Sequence, residues 1–162
     1  MISQKKIKPF SFFLALVIFG LLPLSSVRAQ QASLSLSPAS ANYKTGQVFS
    51  VNILLNTGGV NTDGVDIYYL HYPSGLLEIQ DADSSASGIQ ITPGVLYPST
   101  LSNTVSSANG AIDFSQVSLG GNFYNGSGIL ATISFKVLSA GTATLNFDRI
   151  AGSTIDCNVV SS

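Results

Sequence analysis

After Ala29 the chain sustains no helical period. Val, Ile, Thr, Tyr and Phe recur in short runs that alternate with polar residues and end in Gly, Asn or Ser. Successive side chains of a strand point to opposite faces, so this spacing predicts β-strands. They are expected over residues 32–37, 48–55, 65–72, 77–81, 111–118, 129–138, 142–148 and, less regularly, 154–160. Turn chemistry separates them at Gly58-Gly59, Asn109-Gly110, Gly120-Gly121 and Ala140-Gly141, residues that accept positive φ or bond back to their own backbone. Strands with one apolar side bury it by packing two sheets face to face, which makes the expected class all-β, a two-layer sandwich.

Parity assigns the core. Leu34, Leu36, Phe49, Val51, Ile53 and Leu55 face inward from the first strands, joined by Val65, Ile67, Tyr69, Leu77, Ile79, Ile112, Phe114, Ala131, Ile133, Phe135, Val137, Leu145 and Phe147. The run over 64–79 is unusual because both of its faces are apolar or aromatic. Val65, Ile67, Tyr69 and His71 fall on one side, and Asp66, Tyr68, Leu70 and Tyr72 on the other. One side lines the core, and the other asks for a partner. The Ser-rich stretch over 84–104, carrying Pro93 and Pro98, is expected to be the longest loop, with at most a short strand at 89–91.

The beginning of the chain has a different character. Lys5, Lys6 and Lys8 precede an apolar run ending at Leu22, followed by Pro23 and the small-residue segment Val27-Arg28-Ala29. That is the layout of a secretory signal peptide, with cleavage expected after Ala29, and the apolar run is short for a membrane span. Residues 30–162 then form the domain, secreted or held at the cell surface. They keep Lys44, Lys136 and Arg149 against eight carboxylates, a formal charge of −5. With no basic patch, nucleic acid and anionic membrane are excluded as partners. Cys157 is the single cysteine, so no internal disulfide forms, and it reads as a small, partly buried residue.

Chemistry is sparse. His71 is the only histidine, which excludes a histidine metal cluster and leaves one residue on which to build a triad. Its parity beside Tyr69 marks it as structural. Glu78 with Asp81 or Asp113 is the nearest approach to a glycosidase pair, yet nothing in the spacing singles those residues out. Asp63/Asp66, Asp81/Asp83 and Asp148/Asp156 do not reproduce a calcium loop and read as solvated turn residues. No catalytic residue, cofactor or metal is therefore expected. Asn125-Gly126-Ser127 fits a glycosylation sequon, but Asn-Gly reads as a tight turn.

Three segments carry a resemblance. Tyr43 to Leu55, the Val65 to Glu78 run with its Tyr-Pro and Leu-Leu-Glu-Ile, and Gly126 to Phe147 with Gly-Ile-Leu-Ala-Thr-Ile-Ser-Phe-Lys before an Ala-Gly-Thr turn together resemble a bacterial cohesin domain. The resemblance spans nearly all of residues 30–162. It implies a nine-stranded jelly-roll sandwich, of the superfamily that includes cellulose-binding modules. It also implies a non-catalytic function: holding dockerin domains of other proteins, often polysaccharide-degrading enzymes. The outer face of the strand matching Val65 to Tyr72 would meet the dockerin, with Asp66 at an acidic contact position. The chain departs from the family in three places. His71-Tyr72-Pro73 stands where Tyr-Asp-Pro is usual, and Gly64 where an Asn often stands. The chain also reaches Ser162 before a last strand of the family's length would be complete, so the sandwich either closes differently or continues.

The expected partner-binding platform is Asp66, Tyr68, Leu70 and Tyr72, with Asp113 and Ser115, and Val117 beside them, from another strand. Aromatic anchors ringed by polar groups suit a protein interface. Two other functions stay open. Tyr43, Tyr68, Tyr72, Tyr97 and Tyr124 can stack on a polysaccharide, and the domain can be a structural cell-surface module. Tyr68 and Tyr72 can equally lie beneath the 84–104 loop.

Overall fold

A computed structural model describes residues 31–150, 153 and 155–162; the expected signal segment lies outside the described residues. The alternating runs become ten strands: β1 (Ser33–Ser37), β2 (Val48–Asn56), β3 (Thr62–His71), β4 (Leu77–Ile79), β5 (Thr92–Pro93), β6 (Ser99–Ser106), β7 (Ala111–Val117), β8 (Ser127–Val137), β9 (Asn146–Phe147) and β10 (Asn158–Ser161). No helix occurs among the described residues. One sheet runs β1-β2-β8-β4 with β5 also on β8, and the other runs β10-β3-β7-β6 with β9 also on β3. Every strand pair is antiparallel. The result is the expected all-β, two-sheet sandwich.

Parity holds along β2, where Val51, Ile53 and Leu55 are buried, and along the end of β8, where Ile133, Phe135 and Val137 meet them. Leu36, Phe49, Leu145 and Phe147 pack at the margin of the core and are only partly buried. In β8 the ladder passes from Ile53↔Ala131 to Leu54↔Ile129. Leu130 is the extra residue of this bulge, so Leu130 and Ala131, neighbours in sequence, are both fully buried.

A second bulge overturns part of the parity reading of β3. Ile67 pairs with Phe114 and Leu70 with Ile112, so Tyr68 and Tyr69 together oppose the single residue Asp113. The extra residue reverses which face each later side chain takes. Leu70 is 0% exposed and Tyr72 5% exposed, both in the core. Tyr69 and His71, expected inside, are only partly buried. The rings of Tyr72 and Phe135 lie 5.5 Å apart.

The 84–104 stretch is not one long loop. β6 pairs with β7 over its whole length and forms the edge of its sheet. The short strand before it is Thr92–Pro93, just beyond the expected 89–91. β6 escapes an alternation test because its inward positions are largely polar and satisfy polar backbone. Asn103 donates to the Ile91 carbonyl (2.8 Å) and accepts from the Ile91 amide (3.0 Å). Gln116, inward on β7, donates to Gly94 O and to Thr100 Oγ1. Tyr97 is buried, and its hydroxyl lies 2.6 Å from Thr62 Oγ1. These bonds pin the crossover from one sheet to the other.

Candidate functional site

The outer face of the β10-β3-β7-β6 sheet is built by β3 and β7. At one end Gly64 lies between Val117 of β7 and Val160 of β10. A Cβ on Gly64 would come 2.8 Å from Gln116 O and 2.9 Å from Val117 Cγ1, so only glycine fits this close approach. This accounts for glycine where the resemblance leads one to expect Asn. Val160, its partner on β10, is 49% exposed.

One step along β3, Asp66 stands between Ser115 of β7 and Asn158 of β10. Burial, and after it the Asp113 charge, pushes the Asp66 carboxyl above its usual range. Neither Asp66 nor Asp113 has a cationic partner among the described residues, where the one histidine–carboxylate contact joins His71 Nε2 and Asp148 Oδ1 at 3.1 Å. Beyond Asp66 comes the bulge. Tyr68 and Tyr69 have ring centroids 4.6 Å apart, and Tyr69 and His71 5.7 Å apart. The Tyr68 hydroxyl, then burial, then the charges of Asp113 and Asp148 raise the Tyr69 phenol. Asp148 is fixed by donating its amide to Tyr69 O (2.9 Å), while its carbonyl accepts from Cys157 N. Cys157 is half-buried, and burial pushes its thiol up, away from reactivity. On β6, Ser102 and Thr104 pair with Ser115 and Asp113 and provide a polar rim.

The structure thus brings Asp66, Tyr68, Asp113 and Ser115 together and leaves Leu70 and Tyr72 out, because the bulge turns both into the core. Tyr69, His71 and Asp148 take their place. No alternation signal marked them, since both faces of 65–72 are apolar or aromatic in sequence; burial at 65, 67, 70 and 72, one residue out of the period of two, emerges only in the fold. Of the tyrosines considered for sugar stacking, only Tyr68 lies on this face. Tyr72 and Tyr97 are buried, Tyr43 stacks on Phe49, and Tyr124 packs edge-on against Tyr97.

The other candidate chemistry is dispersed. Glu78 points outward from β4, in the opposite sheet from Asp113, so the two cannot flank one bond. Asp81 accepts from the amides of Asp83 and Gln90, and Asp83 from Ser85, as turn-forming carboxylates do. No group of three or more His, Cys, Asp or Glu among the described residues is placed to hold a metal. The Asn125 amide donates to Gly59 O and Asn61 Oδ1, which is turn chemistry.

No family model matches the sequence, and no curated protein matches it. Solved structures do match. The second type II cohesin module of the adaptor scaffoldin ScaA from Acetivibrio cellulolyticus superposes with a TM-score of 0.61 at 15% identity, covering 82% of this chain and 80% of that one. A type II cohesin–X-dockerin complex from the same organism gives 0.60 at 15% identity, covering 82% and 91%. The seventh ScaB type I cohesin of Pseudobacteroides cellulosolvens gives 0.52 at 18% identity, covering 72% and 74%. The chain has the cohesin fold.

Proposed function

We propose that this chain is a secreted, non-catalytic docking module that holds a dockerin-type domain on the outer face of β3 and β7. Through that partner it would serve polysaccharide breakdown, with nucleic acid, membrane and cofactor playing no part. The observation that carries this reading is the face itself. A rigid antiparallel sheet presents an aromatic step (Tyr68, Tyr69, His71) beside Asp66 and Asp113, carboxylates that no cation of the described residues pairs. Half-exposed aromatic rings with a polar rim are what protein interfaces use as anchors. The cohesin fold supports the same reading, since one of the structures sharing it was solved with an X-dockerin.

Titration calorimetry of the protein against a panel of purified dockerin domains tests this. Binding to at least one dockerin is expected, with Tyr68→Ala weakening it at least about tenfold, roughly 1.4 kcal/mol. Absence of binding across the panel, or affinity indifferent to Tyr68, would sink the proposal.

A further inference from the structure

Away from the docking face, the sandwich holds a cleft of about 470 Å³ between the 38–43 segment and the 139–145 segment. That is within the range of small-molecule sites, roughly 300–1,000 Å³. Its floor is apolar, formed by Phe49, Val51, Leu77 and Val137 where β2 and β4 begin and β8 ends. Its walls carry Ser40, Asn42, Thr142 and Thr144, whose side chains make no hydrogen bond among the described residues. Tyr43 adds an aromatic ring, set by stacking on Phe49 with centroids 3.8 Å apart and planes 14° from parallel.

Both walls are pinned to the sheet ends. Gly46 N donates to Val137 O and Val137 N to Gln47 O, which anchors the turn after Tyr43. On the other side Leu138 N donates to Leu76 O, and Ser139 Oγ to Gly75 O. Gly141 sits so close to Leu76 that a Cβ there would approach both of its methyls at 3.0 Å. The ends of both walls nearest the sheet are therefore held in place, which reduces the ordering a ligand must impose.

Its chemistry narrows the occupant. None of its lining residues is charged, in a domain whose formal charge is −5. An ionic ligand would lose its hydration without a counter-charge. A purely hydrocarbon ligand would cover the free hydroxyls and the Asn42 amide without satisfying them. A neutral sugar fits both halves, since its C–H faces lie on aromatic and aliphatic groups while its rim hydroxyls exchange hydrogen bonds with Ser, Thr and Asn.

We infer that this cleft binds a short neutral oligosaccharide, independently of the docking face. The test is an amide NMR titration of the protein with cello-, xylo- and manno-oligosaccharides. Oligogalacturonate serves as the anionic control and a linear alkanediol as the apolar one. Saturable shifts are expected for residues 39–43 and 139–145 with at least one neutral sugar and with neither control. Tyr43→Ala should weaken binding about tenfold. Since Tyr43 also packs on Phe49, the paired variant Asn42→Ala/Thr142→Val, confined to the wall, should weaken it severalfold in a protein with unchanged melting temperature. Tyr68→Ala should leave it untouched, which separates this site from docking. Shifts absent with every neutral sugar, equal with the alkanediol, or insensitive to the wall variant would overturn the inference.

Discussion

Gly64 and Val117 face each other across the β3–β7 ladder, and a Val117 methyl occupies the space that a side chain on Gly64 would need. The obstruction includes the Gln116 carbonyl, which cannot rotate away. Gly64→Ala should therefore cost about 1–3 kcal/mol, the usual range for overpacking. Val117→Ala in the same chain should recover part of that loss, because it removes the side-chain contact and leaves the backbone one. Urea unfolding of the two single variants and the double variant measures it. Additive losses would mean that the contact is not the cause.

The bulge at Tyr68-Tyr69 separates two kinds of residue that are two positions apart. Leu70→Ala empties a fully buried site and should cost about 2–5 kcal/mol, whatever partner is present. Tyr68 is 38% exposed, and Tyr68→Ala should cost less than about 1 kcal/mol while weakening docking. Thermal melts of both variants decide the matter. A stable Leu70→Ala, or a Tyr68→Ala that unfolds, would place the bulge elsewhere in β3.

Asp66 should leave a signature in the pH dependence of stability. Burial and the Asp113 charge raise its carboxyl in the folded protein, so the folded state holds that proton more tightly than the unfolded chain does. Ionised Asp66 thus costs stability near neutral pH. That cost fades as pH falls through the interval between the raised value and the ordinary one. Asp66→Asn should raise the urea midpoint near pH 7 and do so much less near about pH 3, where the native carboxyl is already neutral. The gain is small, because the side chain is only partly buried and solvent still screens it. A gain that grows toward low pH has the wrong sign for this account. The same substitution should weaken dockerin binding, so stability and docking would move in opposite directions at one residue.

Strands whose inward residues are all apolar were legible from alternation. β2 and the Ile133 to Val137 part of β8 follow it without exception, since nothing there but burial selects the residue. The errors fall where another force selects. At Tyr68-Tyr69 one inserted residue reversed the face of Leu70, Tyr72 and His71, and removed Leu70 and Tyr72 from the expected platform. The bulge itself was not visible, because Tyr68 and Tyr69 keep the run from Ile67 to Leu70 continuously apolar or aromatic. The contribution of Asp148 was not legible, because it reaches the face through its contact with His71 from a segment far along the chain. β6 hid for a third reason, as Asn103 takes an inward position to bond the Ile91 backbone in place of an apolar side chain.

Asn103 gives that third reason a measurable form. Its carboxamide both donates to and accepts from the backbone of Ile91, standing in for a strand partner, while the Ile91 side chain is 1% exposed. Asn103→Leu removes both bonds and leaves a buried amide and carbonyl unpaired. Each such group costs about 1–3 kcal/mol, so the variant should lose at least that much. Asn103→Asp keeps the acceptor and loses the donor, and should fall between the two proteins at neutral pH. Hydrogen exchange at the Ile91 amide reports the bond directly: protection should be lost in Asn103→Leu and partly kept in Asn103→Asp. If the Ile91 amide exchanges equally slowly in all three, the crossover is held by Gln116 and Tyr97 instead, and the β6 edge does not depend on Asn103.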